Sequence, residues 1–271
     1  MRQEPAVLTF LHISDTHICA DPDYRAPWLH KSVAHPNRGV ESLLEAIKGL
    51  WFPVDFILHT GDICAEPSVE NYQLARELFD RLEQPMYMLP GNHDSPQMAR
   101  DILPDGERRQ VLDDDHKVVN GYHLISIEGG GVGDPVFPTV PEEQIDRFAA
   151  LLNQAQDGPI LVVAHFPFVR TGVPWIDDGA RIQNGERLHE LLVARREQVV
   201  GVFYGHIHQV ANSFCDGITY SCCPSTWFNF TGYPGMELAD ADLETPGGFN
   251  LVMIRDKRTF VRRYFLPPVG A

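Results

Sequence analysis

Five apolar runs along this chain break off at the same kinds of residue. Val7 to Ser14 ends in Asp15-Thr16-His17, and Asp55 to Thr60 ends in Gly61-Asp62. Met86 to Leu89 ends in Pro90-Gly91-Asn92-His93-Asp94, Ile160 to Ala164 in His165, and Val199 to Tyr204 in Gly205-His206-Ile207-His208. Short runs that are apolar at successive positions predict strands buried on both faces, which belong to parallel sheets covered by helices. Asp15 and His17, two apart on an extended segment, are expected to point the same way.

Between these runs the period changes to that of a helix. Leu43, Leu44, Ile47 and Leu50 predict a helix over about 40–50. Ser68 reads as the N-cap of a second helix reaching about Leu82, and a short one is expected from Ser95 to about Leu103. Asn120-Gly121 predicts a hairpin joining 117–119 to 122–127. Further helices are expected over 142–154, with Pro141 suiting a first-turn position, and over about 186–196. The last third reads as strands over 217–223, 249–255 and 259–266. Residues 18–38 and 166–184 read as long loops over the strand ends, and loops of that length are usually functional. Gly129 to Gly133 reads as a flexible connector, and it is not a GxGxxG phosphate cradle. With no repeat, low-complexity tract or linker, residues 1–271 are expected to form a single domain, with 211–248 as a substrate-capping excursion.

Composition narrows the function. A formal net charge of −15 disfavours a nucleic acid polymer as partner, because phosphate backbones need clustered Lys and Arg. The five cysteines are odd in number and form no CxxC pair, which argues against a disulfide framework or a cysteine zinc site and for reduced thiols in the cytoplasm. The N-terminus carries no signal-peptide h-region, and no apolar run approaches the ~18 residues of a membrane helix.

The strand ends carry the chemistry. Asp15, His17, Asp62, Asn92, His165, His206 and His208 are too many ligands for one tetrahedral ion, so two ions are expected. Their oxygen and imidazole donors suit Mn, Fe, Zn or Co. Asp62 follows a glycine that lets the backbone come close, and it is the natural carboxylate to bridge a pair of ions. His12 and His59, inside strands, are expected to pack or to orient ligands. His30, His35, His116, His123 and His189 read as loop, strand or surface residues. Trp175, Trp227, Phe228 and Phe230 either line a nucleobase pocket or pack the lid or a subunit contact.

Taken in order, Asp15-x-His17, Gly61-Asp62, Gly91-Asn92-His93-Asp94, His165 and Gly205-His206-x-His208 resemble the calcineurin-like metallophosphoesterase superfamily, over residues 7 to about 230. His165-Phe166-Pro167, Trp175-Ile176-Asp177, Asn184, Gln209 and Pro224-Ser225-Thr226 bring the likeness nearest to bacterial class III cyclic-nucleotide phosphodiesterases and glycerophosphodiesterases. The resemblance implies a four-layer α/β/β/α sandwich. It also implies two divalent transition metal ions, one held by Asp15, His17, Asp62 and His208, the other by Asp62, Asn92, His165 and His206. A bridging hydroxide would then attack a small phosphodiester such as cAMP or a glycerophosphodiester. Asp62 and Asn92 would serve that catalysis as ligands, and His93 would bind the phosphate or protonate the leaving alkoxide, a role worth roughly 10²–10⁴-fold. By analogy a homodimer or higher homo-oligomer is expected. A phosphomonoesterase of the same superfamily, or a catalytically silent metal-binding regulatory protein, stays open. Two departures are visible. The Asp-Arg-Gly run of the protein phosphatases is replaced by Ile63-Cys64-Ala65, and Ala65 stands where purple acid phosphatases place a Tyr ligand.

Overall fold

The computed structural model describes residues 7–128, 138–255 and 257–267; the expected 129–133 connector lies outside them. In chain order the first half comprises β1 (Leu8–Ile13), α1 (Pro36–Lys48), β2 (Phe56–His59), α2 (Val69–Phe79), β3 (Met86–Met88), α3 (Pro96–Ile102), β4 (Arg109–Val111), β5 (His116–Val119) and β6 (Tyr122–Ile127). The second half comprises α4 (Glu142–Gln154), β7 (Ile160–Ala164), a π-helical turn (Ile176–Ala180), α5 (Gly185–Val193), β8 (Val199–Tyr204), β9 (Asn212–Cys215), β10 (Ile218–Cys222), β11 (Asn229–Phe230), β12 (Ala241–Asp242), β13 (Gly248–Arg255) and β14 (Arg258–Phe265).

Two six-stranded sheets result, in the orders β14-β13-β1-β2-β3-β4 and β5-β6-β7-β8-β10-β9. The strands that end in His, Asp or Asn are parallel neighbours within their sheets, and antiparallel strands are confined to the flanks. The pleat sorts the apolar runs into layers. Leu8 and Phe10 of β1 face the other sheet, joining Phe56, Leu161, Val163 and Phe203. Leu11 and Ile13, one step out of phase, join the helix side with Leu43, Leu44, Tyr72 and Phe79. On the far side Ile125, Val162 and Val202 pack under Phe148, Leu152, Leu188 and Leu192 of α4 and α5. The architecture is the expected α/β/β/α sandwich.

Local signals account for most boundaries. Ser68 and Ser95 accept from the backbone N–H of Asn71 and Met98, capping α2 and α3. Asn120 and Gly121 both take positive φ (50° and 83°), as the hairpin turn requires. Three expectations are corrected. Helix α1 starts at Pro36 rather than near residue 40, with His35 Nδ1 accepting from Asn37 N as an unusual N-cap. Pro141 is the N-cap of α4 and not a first-turn residue. The loop at 166–184 contains the π turn, and the strands β4, β9, β11 and β12 went unforeseen. The β9–β10 hairpin turns on Asp216-Gly217, both at positive φ (48° and 87°), a turn dipeptide that period-two patterning passes over.

Candidate metal centre

All seven ligand candidates lie at the ends of β1, β2, β3, β7 and β8, where the parallel strands open into loops. That is the edge where open α/β sheets place their sites. Three groups of close donors form there: Asp15, His17 and His208; His17, Asp62 and His93; and Asp62, His165 and His206. The second group shares a residue with each of the others, so the three make one continuous centre.

Asp62 stands in the middle. Its Oδ2 lies 3.8 Å from His17 Nε2 and 3.4 Å from His165 Nε2. Its other oxygen accepts from the backbone N–H of His93 at 2.8 Å. On one side His208 Nε2 lies 3.4 Å from Asp15 Oδ1 and 3.2 Å from His17 Nε2. On the other, His165 Nε2 is 3.0 Å from Asn92 Oδ1. The ligands are almost wholly buried, apart from Asn92 and His206, which are partly exposed.

The backbone at these positions is not extended. Asp15, His17, Asp62, His206 and His208 all adopt positive φ, between 44° and 66°. The expected period-two alignment of Asp15 and His17 is therefore corrected: β1 ends at Ile13, and a left-handed backbone aims both side chains inward. Non-glycine residues held in this region cost of order 1–3 kcal/mol each and collect at functional sites. Glycines make the room. A Cβ on Gly61 would sit 2.3 Å from His165 Nδ1, one on Gly91 2.3 Å from Asp62 N, and one on Gly205 1.9 Å from Ser14 Oγ.

A second ring of groups orients the ligands. His165 donates through Nδ1 to the Thr60 carbonyl (2.7 Å) and His208 through Nδ1 to the Phe228 carbonyl (3.0 Å). Both arrangements leave Nε2 aimed into the centre. His12 Nε2 pairs with Thr60 Oγ1, and His59 Nε2 with Thr16 Oγ1, each at 3.0 Å. These two crossed pairs tie the first loop to the second, matching the role expected of His12 and His59. Asp94, which closes the Gly-Asn-His-Asp motif, has a role that the motif alone does not reveal. Its carboxylate accepts from the N–H groups of Gly91, Ile63 and Cys64 and from the Tyr72 hydroxyl, binding the second loop to the third.

The electrostatics suit a cation site. Burial drives His17 and His206 well below their ordinary pKa, leaving neutral imidazoles with lone pairs to offer. Each also keeps a buried Nδ1 without a hydrogen-bond partner. Burial lowers His165 too, but the Asp62 carboxylate outweighs it and lifts the group to about 9. Asp62 is held well below the usual carboxylate range; burial opposes this, and His165 and His93 overcome it. Asp94 is pushed up to about 6, by burial and by Asp62. Buried neutral imidazoles converging on carboxylates are a donor set for divalent ions.

Three loops cover the centre. Trp28, in the loop before α1, stands with its ring 5.7 Å from His93 and 6.2 Å from His17. Trp227, Phe228 and Phe230 stand within 6.2 Å of Trp28, and Trp175 within 5.6 Å of Phe230. Trp28 was missed because nothing in its proline-containing loop has a period. Lys31 bonds Asp240 and Trp227 Nε1 donates to the Ala34 carbonyl, so the 18–35 loop and the 211–248 excursion meet.

The chain is similar to known proteins over most of its length. A 3′,5′-cyclic adenosine monophosphate phosphodiesterase from Haemophilus influenzae is 26% identical over 265 residues, covering 96% of this chain and 91% of its own. A glycerophosphodiester phosphodiesterase from Enterobacter lignolyticus is 28% identical over 227 residues, covering 79% and 76%. In fold, a dimetal phosphatase from Danio rerio matches with a TM-score of 0.65 at 13% identity, over 95% of this chain and 99% of that one. The calcineurin-like phosphoesterase family profile matches residues 8–210, and the chain belongs to that family.

Proposed function

We propose that this protein is a dinuclear metal-dependent phosphodiesterase acting on small phosphodiesters, 3′,5′-cyclic nucleotides first and glycerophosphodiesters second. Asp15, His17, Asp62 and His208 would hold one ion, and Asp62, Asn92, His165 and His206 would hold the other. The observation that carries this reading is Asp62 Oδ2, a single carboxylate oxygen set between His17 of one donor group and His165 of the other. Oxygen and imidazole donors without a thiolate suit Mn, Fe or Zn.

Ions held there would supply a water of lowered pKa and neutralise charge gathering on the phosphoryl oxygens. The protein's own groups do the rest. The His93 backbone N–H holds Asp62 Oδ1, and its ring Nδ1 donates to the Ala65 carbonyl at 3.0 Å, fixing Nε2 as the free nitrogen. With the ring in its imidazolium form, that nitrogen carries the proton passed to the leaving alkoxide, and His93 is left as the neutral Nδ1–H tautomer. Ala65, where purple acid phosphatases place a tyrosine ligand, thus serves through its main chain. The aromatic wall of Trp28, Trp227, Phe228 and Phe230 offers flat apolar faces to a nucleobase, in keeping with the cyclic-nucleotide and glycerophosphodiester relatives.

Residues 1–271 act as a single domain in which 211–248 caps the site. The net charge of −15 turns away nucleic acid polymers. Among the described residues no helix is long and apolar enough to cross a membrane. The five free cysteines suit a reducing cytoplasm, and a homodimer is the working oligomer. The test is a substrate panel of cyclic AMP, glycerophosphodiesters, bis(p-nitrophenyl) phosphate and p-nitrophenyl phosphate with Mn-, Fe- and Zn-loaded protein. Diesters should turn over well ahead of the monoester. A His206→Ala variant that kept full diesterase activity would overturn the assignment.

A further inference from the structure

A second group of metal-type donors lies outside this centre and shares no residue with it. His189 stands on α5, and Cys215 and Asp216 stand at the end of β9 and in the turn to β10. Cys215 Sγ is 3.6 Å from His189 Nε2 and 3.5 Å from Asp216 Oδ2, and His189 Nε2 is 3.0 Å from the same carboxylate oxygen. Tetrahedral zinc with bonds of about 2.3 Å to sulfur and about 2.0–2.2 Å to nitrogen and oxygen puts its ligands roughly 3.6 Å apart at both sulfur edges and roughly 3.4 Å apart at the nitrogen–oxygen edge. The two sulfur edges already have that length, and the third is shorter by a few tenths of an ångström.

The other features of a built site are present. His189 Nδ1 is 2.7 Å from the hydroxyl of fully buried Tyr220, the outer partner that fixes which nitrogen faces the ion. The ligands come from two elements, so an ion would tie the helix to the hairpin at the sheet edge. The His189 side chain is 12% exposed and that of Asp216 66% exposed. Beyond Asp216 the surface opens into a cleft of about 630 Å³ bordered by Arg196, Glu197, Gly217 and Lys257. An ion therefore has an entry path, and its fourth position is left to water.

We infer that His189, Cys215 and Asp216 form a third metal site, for a thiolate-accepting divalent cation of the zinc class, which clamps α5 to the β9–β10 hairpin. A triad reading fits less well. In such triads the carboxylate and the nucleophile bond opposite ring nitrogens, whereas here both meet Nε2 and Nδ1 is taken by Tyr220.

The catalytic centre has no cysteine ligand, which makes the site separable. The purified protein is titrated with Co²⁺ alone and read for a thiolate-to-cobalt charge-transfer band in the near ultraviolet. The band should appear in the wild type and vanish in Cys215→Ser and His189→Gln. Cys215→Ser should also bind one equivalent fewer while hydrolysing bis(p-nitrophenyl) phosphate at the wild-type rate. Absence of the band in the wild type, or its survival in Cys215→Ser, overturns the proposal. Should Cys215→Ser fail to fold, Asp216→Asn, altered at an exposed carboxylate, takes its place. It should weaken the band-forming affinity about tenfold or more, and an unchanged affinity overturns the proposal equally.

Discussion

His17 Nε2 and His208 Nε2 face each other 3.2 Å apart, although 191 residues separate them in sequence. Two imidazole nitrogens at that distance either share a proton or share a cation. Burial holds His17 well below its ordinary pKa, and Asp15 and Asp62 flank the pair. The cation is the better occupant, and the consequences can be measured.

His93 is expected to act by delivering a proton to the leaving oxygen. His93→Asn should lower kcat on cyclic AMP by roughly 10²–10⁴-fold. On bis(p-nitrophenyl) phosphate, whose leaving group departs without protonation, the loss should be far smaller. Equal losses on both substrates would instead assign His93 to phosphate binding.

Gly91 should tolerate no side chain. A Cβ there would lie 2.3 Å from both the backbone nitrogen and Oδ1 of Asp62, and a backbone atom cannot swing aside. Gly91→Ala should therefore displace the central carboxylate and lower diesterase activity by about 100-fold or more, in the range of lost electrostatic contacts. Gly106→Ala is the control. Its φ is +55° but it has open space around it, so a stability loss of about 1–2 kcal/mol with activity retained is expected.

The metal-free protein should weaken in mild acid. Burial lowers His12 to about 3 and His59 to about 4, from 6.5 in the unfolded chain. Below pH ~6.5 the unfolded state takes up protons that the folded state refuses, so stability is full above that pH and drains away toward about 3–4. His17 and His206 add to this with the same sign, while Asp94, at about 6, opposes it. His165, at about 9 in the folded chain against 6.5 unfolded, opposes the loss down to about pH 6.5 and is protonated in both states only well below it, and Glu128, at about 7, opposes it as well. At about 1.36 kcal/mol per unit the sum reaches several kcal/mol. A Tm series on chelator-treated protein from about pH 7.5 to 4.5 should fall steeply, and a flat series would contradict the buried neutral pairs.

Between the sheets, Phe10 stacks on Phe56 at 4.9 Å and meets Phe203 edge-on at 5.2 Å. It is fully buried. Phe10→Ala should cost about 3–5 kcal/mol in denaturant unfolding, with the ligand loops intact in the fraction that stays folded. A loss under about 1 kcal/mol would mean that the inter-sheet layer repacks freely.

Much of this was legible because buried parallel strands announce themselves as unbroken apolar runs, and donors at their ends stand out against that background. Helices α2 and α3 were legible through Ser68 and Ser95, whose caps are local chemistry. What escaped was set by tertiary contact. Helix α1 begins four residues early because His35 caps it, a role that imidazoles rarely fill. Trp28 reaches His93 only because its loop is pinned through Ala34 and Lys31. Asp94 joins two loops through backbone N–H groups that no side-chain motif reveals. Cys215 and His189 looked unremarkable apart, since they stand 26 positions apart with a whole strand between them.

The left-handed backbone at Asp15, His17, Asp62, His206 and His208 has a consequence for how this sequence can change. At each position glycine would relieve the backbone cost, so the ligands are held against the local preference of the chain. A screen scored on folding alone should drift toward glycine at those five sites and arrive at a sturdier, inert relative. Aspartate and histidine at those positions thus serve what the site binds at a cost to the backbone that carries them.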